Sequence, residues 1–200
     1  MNKKNSIKHK IVTSKYFELS GLLLLIILYS CIVQTKSGNF LTIGNIHNVL
    51  KEIVVYGILS CALAFPLING TFDLSIESIA ALGGTCCGLL VKDGLYGLKT
   101  NLPAAILISV IICCVVGAVN GLLVAFTSID PFIVTLGSQV AVRGLVYIVG
   151  NNTAVTGLPD SFKALSNKPI LGVSMSIWIM ILVFVLMAIV LGKTSYGRKI

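Results

Sequence analysis

Apolar residues run along this chain in long blocks, broken by short polar stretches. A bilayer core about 30 Å thick needs about 20 apolar residues of helix, and six stretches meet that length: 16–33, 53–69, 74–91, 102–126, 131–149 and 171–191. The sixth carries no charge. The second, third and fifth contain or border Pro, Gly or charge, so one of them could re-enter instead of spanning. Between Lys36 and Glu52 the pattern changes: Ile43, Ile46, Val49, Leu50 and Ile53 recur at helical spacing with Asn45, His47, Asn48 and Lys51 between them. That spacing predicts an amphipathic helix on the outer interface, leading into the second span.

Composition agrees with a membrane class. Hydrophobic residues make up 56% of the 200 and charged residues 11%, with a mean hydropathy of +0.98. A water-soluble domain carries roughly 25% charged residues, and disorder needs low hydrophobicity and high charge. Fifteen Lys and Arg against seven Asp and Glu give a net charge of +8. The basic residues lie almost wholly outside the apolar runs and form no aromatic-interleaved patch, so nucleic acid is not an expected partner. The fold class expected is an all-α polytopic membrane protein of about six transmembrane helices.

Lys3, Lys4, Lys8, Lys10 and Lys15 precede the first run, as in a signal peptide. Tyr29 is bulky where the lipoprotein-like box Leu28-Tyr29-Ser30-Cys31 wants a small residue, and an uncleaved first helix is the expected form. With Lys193, Arg198 and Lys199 after the sixth run, both ends are expected on the cytoplasmic side. The organisation is then a basic cytoplasmic tail at 1–15, a membrane domain at 16–191 and a basic cytoplasmic end at 192–200.

Polar residues inside the apolar blocks carry the chemistry. Asn69-Gly70-Thr71-Phe72-Asp73-Leu74-Ser75 interrupts apolar sequence, with Glu77 just beyond. Asp73 or Ser75 is expected to cap the next helix, where the helix dipole favours Glu77. Asp130-Pro131 repeats the device, with Asp130 as cap and Pro131 at the first helical position. A charge at bilayer depth costs about 2.5–3.5 kcal/mol even on insertion scales; Asp73 and Glu77 can escape that cost by lying near the surface. Arg143 lies twelve residues into the fifth run, roughly 18 Å along a helix. It must snorkel, pair with an acid or face water. Thr135, Ser138 and Gln139 accompany it at helical spacing, with Asn120 available on the fourth run. A polar side of this kind lines a water path or forms a structural hydrogen-bonded network, and both readings stay open. Asp73, Ser75, Asn120, Gln139 and Arg143 are the candidate path or broken-helix residues.

Gly84 with Gly88, and Gly117 with Gly121, give the small-x-x-x-small spacing used for close helix contact in lipid. Cys31, Cys61, Cys86, Cys87, Cys113 and Cys114 all lie in apolar runs without ligand spacing, and are expected as packing residues. No nucleotide loop, hydrolase elbow or metal-ligand cluster occurs in the sequence. Neither a cofactor nor a metal is expected, and enzymatic chemistry is not.

In order along the chain, these motifs resemble the permease subunits of ribose/simple-sugar ABC importers. The landmarks are Phe40-Leu41-Thr42 with Asn45, Asn48 and Leu50; Phe72-Asp73-Leu74-Ser75-Ile76; Pro131-Phe132-Ile133-Val134-Thr135-Leu136-Gly137; Arg143-Gly144; and the loop from Asn151 to Gly157. Leu171-Gly172-Val173, Trp178-Ile179-Met180 and Thr194-Ser195-Tyr196-Gly197-Arg198 complete the series. The resemblance implies a homodimeric channel in the bacterial cytoplasmic membrane, with ATP-hydrolysing ABC subunits inside and a soluble sugar-binding protein outside. Thr71 and Glu77 stand where the family usually has glycines. The chain is expected to be an amino-terminal portion lacking the family's C-terminal third. Rival readings are an ABC permease for another solute such as branched-chain amino acids, and an ion-coupled transporter using Asp73, Glu77 and Arg143. A further rival is a non-transporting remnant.

Overall fold

The structure is a computed structural model that describes residues 15–92, 100–195, 197 and 199. The expected basic tail, apart from Lys15, lies outside the described residues, as do Lys99, Tyr196 and Arg198. The chain divides into two compact units, residues 1–50 and 51–200.

In the first unit, α1 (Lys15–Ser37) ends at Gly38, which takes a φ of +69°. Gln34 staples the turn: its amide Nε2 donates to the Gly38 carbonyl at 2.9 Å, and its Oε1 accepts from the Leu41 N–H at 2.8 Å. Thr42 then starts the next helix, with its carbonyl accepting from the Ile46 N–H at 2.9 Å. Asn45 braces that start by donating to the Phe40 carbonyl at 2.7 Å. The motif from Phe40 to Asn45 is thus a helix-start device. Leu24, Leu25 and Ile27 are 60–64% exposed, a surface that only lipid or another chain would cover cheaply.

That next helix, α2, runs unbroken over Ile43–Ile68. The interfacial helix and second span expected as two elements are therefore one. The 3.6-residue period continues through the junction, and no Pro punctuates it before Pro66. At about 1.5 Å per residue its 26 residues reach about 39 Å, more than a ~30 Å hydrocarbon core, so it has length to spare for the polar turn around His47.

The second unit contains α3 (Ile76–Val91), α4 (Leu102–Phe126), α5 (Pro131–Val149), α6 (Asp160–Asn167), a hairpin of β1 (Pro169–Ile170) and β2 (Val173–Ser174), and α7 (Met175–Lys193). Caps follow from short polar side chains. Asn101 accepts from the Ala104 N–H at 3.0 Å, and Asp130 accepts from the Phe132 N–H at 2.8 Å, with Pro131 beginning α5 as expected. Asn151 and Asn152, both at positive φ, close α5, and the Asn152 N–H reaches the Tyr147 carbonyl at 2.8 Å.

α3 is the pivot, packing along both α4 and α5, which touch each other far less. Six apolar side chains are buried among the described residues (Val54, Leu82, Cys87, Val91, Ala105 and Val142) and six polar ones (Ser75, Ser78, Ser109, Asn120, Thr135 and Ser174). An interior half polar beneath an apolar exterior is the arrangement for which lipid is the solvent.

Among the described residues, five helices are long and apolar enough to cross a membrane: residues 19–37 of α1, with α2, α4, α5 and α7. Six were expected. The third run yields a helix of 16 residues, only about 24 Å long, because residues 71–75 lie outside it. It still runs from one end of the bundle to the other. Its start touches the residues flanking the α4–α5 connection, and its end packs with Leu102, Leu158 and Phe162.

The glycine spacings do less than expected. A Cβ at Gly84, Gly117 or Gly121 would meet nothing within 4 Å, and at Gly88 it would meet Val155 and Leu158 of a loop. Close helix approaches occur instead at Gly83, where a Cβ would stand 2.6 Å from Cys113 Sγ, and at Gly57, where it would stand 2.7 Å from Met180 Sδ. Cys113 also donates to the Ile79 carbonyl at 3.5 Å. The cysteines are free thiols, in keeping with a packing role. Gly83→Val is expected to cost about 1–3 kcal/mol by overpacking α3 on α4, and adding Cys113→Ala should restore most of it. Thermal unfolding in detergent checks both; a Gly83→Val chain as stable as the parent would refute the contact.

Candidate translocation site

The break between α2 and α3 is built by backbone chemistry. Pro66 leaves its carbonyl to accept from the Thr71 N–H at 2.9 Å and from the Thr71 hydroxyl at 3.1 Å, while Gly70 turns the chain at a φ of +75°. Beyond it, Asp73 Oδ1 accepts from the Ser75 N–H at 2.8 Å and from Ser75 Oγ at 2.6 Å. Asn120 Nδ2 on α4 donates to the same Ser75 Oγ at 2.9 Å. Ser75 is fully buried. On the α5 side, Thr135 Oγ1 donates to the Phe72 carbonyl at 3.2 Å. Non-helical backbone within an apolar bundle is tolerated where side chains satisfy its polar groups, and these residues do so. Ser75 begins α3 with no side-chain cap bond; of the two expected caps, Asp73 is the one that works, two residues upstream.

A second polar cluster lies further along α3 and α5. Arg143 Nη2 stands 3.3 Å from Glu77 Oε1, with the two side chains 44% and 64% exposed. They line a cleft of about 480 Å³ with Ser78, Gln139, Val140, Gly144 and Tyr147. Tyr147 also lines an adjoining cavity of about 280 Å³ with Thr85, Gly150 and Asn152, so the polar seam continues to the end of α5. Thr135, about 6 Å into α5, meets Phe72, whereas Arg143, about 18 Å in, meets Glu77 in the first turn of α3. Two charges within an apolar bundle carry a heavy insertion cost, which their pairing relieves. The dipole at the start of α3 adds to the stabilisation of Glu77.

The five candidate residues therefore fall into two groups. Asp73, Ser75 and Asn120 form one hydrogen-bonded brace; Gln139 and Arg143 line the cleft. Asn120 does not face Arg143, and the single polar side expected of α5 divides. Thr135 turns to the break, Ser138 to a groove against α4, and Gln139 and Arg143 to α3. That groove is larger, about 560 Å³, but apart from Asn120 and Ser138 its lining is apolar, and it offers a polar solute little. Sequence reasoning passed over Ser78 and Tyr147. Tyr147 could have been found, since it lies one helical turn beyond Arg143 on the same face. Among the described residues no cluster of His, Cys, Asp or Glu could hold a metal.

Residues 45–200 match the family described as "Branched-chain amino acid transport system / permease component". The chain belongs to this permease family. It is 31% identical over 181 residues to the L-arabinose ABC transporter permease protein of Azospirillum brasilense, covering 90% of this chain and 52% of that one. To the ribose import permease protein of Escherichia coli K12 it is 32% identical over 187 residues, 92% of this chain and 56% of the relative. The ribose import permease protein of Bacillus subtilis is 30% identical over 190 residues, 94% of this chain and 56% of its own length. The chain spans about half the length of these curated relatives. No solved structure matches it. Family membership and five membrane-length apolar helices together make this permease chain a multi-pass membrane protein.

Proposed function

We infer that this chain is the membrane-spanning translocation subunit, or part of one, of an ABC importer for a monosaccharide. ATP would be hydrolysed by a separate ABC subunit inside the bacterial cytoplasmic membrane. An extracytoplasmic sugar-binding protein would deliver the solute, and a second permease chain would complete the channel. Both termini would then lie on the cytoplasmic side. The observation that carries this reading is the cleft between α3 and α5: Glu77, Gln139, Arg143 and Tyr147 within an apolar bundle, in a family of permeases.

The chemistry suits a neutral polyol. Glu77 and Arg143 offset each other's charge, so the cleft has no strong preference for an anion or a cation. Its carboxylate, guanidinium and amide offer acceptors and donors to hydroxyl groups, and the Tyr147 ring can pack on the C–H face of a sugar. Branched-chain amino acids, which the family description names, would ask for an apolar pocket, and the cleft gives them only Val140 and Gly144. The relatives named for ribose and arabinose favour the sugar.

In this account Gln139 and Arg143 belong to the path, and Asp73, Ser75 and Asn120 hold the broken helix beside it. Arg143→Leu in the full-length protein, with its ATPase and binding protein, should cut sugar uptake about tenfold or more. A charged group on the path contributes at least the ~1.4 kcal/mol that a factor of ten represents. Expression and membrane insertion should be unchanged. Uptake equal to the parent's would remove Arg143 from the path.

A further inference from the structure

β1 and β2 pair antiparallel, with Pro169 opposite Ser174 and Ile170 opposite Val173. The two residues joining them, Leu171 and Gly172, take φ values of +53° and +79°. Two left-handed residues suit a tight hairpin, and Asn-Gly or Gly-Gly is the usual solution. Leucine there is uncommon and strained. Burial within the chain does not repay the strain, for Leu171 is 88% exposed.

Three observations fix the level of this apex relative to a bilayer. α7 has 19 residues, with no buried residue among them. At about 1.5 Å per residue it is about 28 Å long, so it needs its whole length to cross a hydrocarbon core of about 30 Å. Met175 must then sit at the hydrocarbon boundary. β2 leads into Met175 with no linker, which places the hairpin within the headgroup layer. Finally, Trp178 Nε1 donates to the Ile170 carbonyl at 3.1 Å. That bond draws the residue beside the apex toward the first turn of α7 and uses the indole as interfacial tryptophans are used.

We propose that the apex formed by Ile170 and Leu171 is a membrane-interface anchor, with the Leu171 side chain inserted at the boundary between headgroups and acyl chains of the leaflet where α7 begins. Its partner is the lipid surface. Leucine, and not asparagine or glycine, occupies the strained position because the side chain is buried in lipid. The anchor holds one end of the cap on the bundle: α6 leads directly into the hairpin, its Phe162 packs against the core of Cys87, Val91 and Ala105, and its Asn167 accepts from Lys51 Nζ at 3.0 Å.

The test uses the whole chain in phosphatidylcholine–phosphatidylglycerol vesicles, with its six cysteines replaced by alanine and Leu171→Cys carrying a bimane label. Lipids with a nitroxide near the headgroup should quench the label. Aqueous iodide should quench it about threefold less than a label at Asn152→Cys in the exposed loop. Equal iodide quenching at the two sites would overturn the proposal. So would a label that neither quencher reaches, since another protein would then cover the apex. Trp178, the single tryptophan, provides an unmodified check: shallow brominated lipids should quench it in the parent chain. If they do not, the hairpin is not at the interface and the proposal falls.

Discussion

Replacing Asp73 with leucine is expected to lower the unfolding temperature of the detergent-solubilised chain by about 5–10 °C. Its carboxylate accepts from two groups on a residue with no exposure to solvent, the Ser75 amide and hydroxyl. Two scales bear on the size of the loss. Interhelical side-chain bonds in membranes average about 0.6 kcal/mol when tested singly, because the freed groups find other partners. A buried donor left without an acceptor costs about 1–3 kcal/mol. The second scale applies to the Ser75 amide, a buried backbone group that cannot rotate to a new partner. The hydroxyl adds a smaller share, since it still receives a bond from Asn120. A sum of about 2–3 kcal/mol, at roughly 2–4 °C per kcal/mol for a chain of this size, gives the stated shift. Asp73→Asn keeps an oxygen acceptor and should lose less than half as much. Asn120→Leu removes only one interhelical bond and should fall near the lower scale. An Asp73→Leu chain that melts with the parent would mean that the broken segment is held by something else.

The helices were legible where the bilayer sets their length. The runs that became α4, α5 and α7 needed only an apolar count, and the Asp130-Pro131 start needed only cap chemistry. The fusion of the polar turn around His47 into α2 was not legible, because an interfacial helix and the overhang of a spanning helix share one periodicity. The shortness of α3 was hidden for a related reason. Leu74 and Ser75 are apolar and small enough to continue the run, and nothing in that pattern shows that the helix starts only at Ile76.

The site was legible through Arg143, whose depth made a charge expensive wherever its side chain pointed. Its partner was harder to place. Glu77 stands at the start of its run, and residue counting puts such a position at the surface. The non-helical residues 71–75 bring the start of α3 beside α5, so that Glu77 meets an arginine two-thirds of the way along α5. The neighbour of Asn120 was not legible, because hydropathy leaves the rotation of a helix open. α4 is apolar nearly all round, and its one asparagine turns toward Ser75.

The central claim is that α3 and α5 enclose a water-filled polar seam within an apolar bundle. It is tested most directly by thiol accessibility in membranes, in the chain with its native cysteines replaced by alanine. Gln139→Cys faces the cleft, whereas Leu136→Cys lies on an exposed apolar stretch of the same helix. A membrane-impermeant thiosulfonate attacks the thiolate, which forms in water and not in hydrocarbon. Gln139→Cys should therefore react about tenfold or more faster than Leu136→Cys, at a thiolate fraction set by water access. If both positions stay unreactive, or both react alike, the cleft is not a water-filled seam and the translocation reading built on it is wrong.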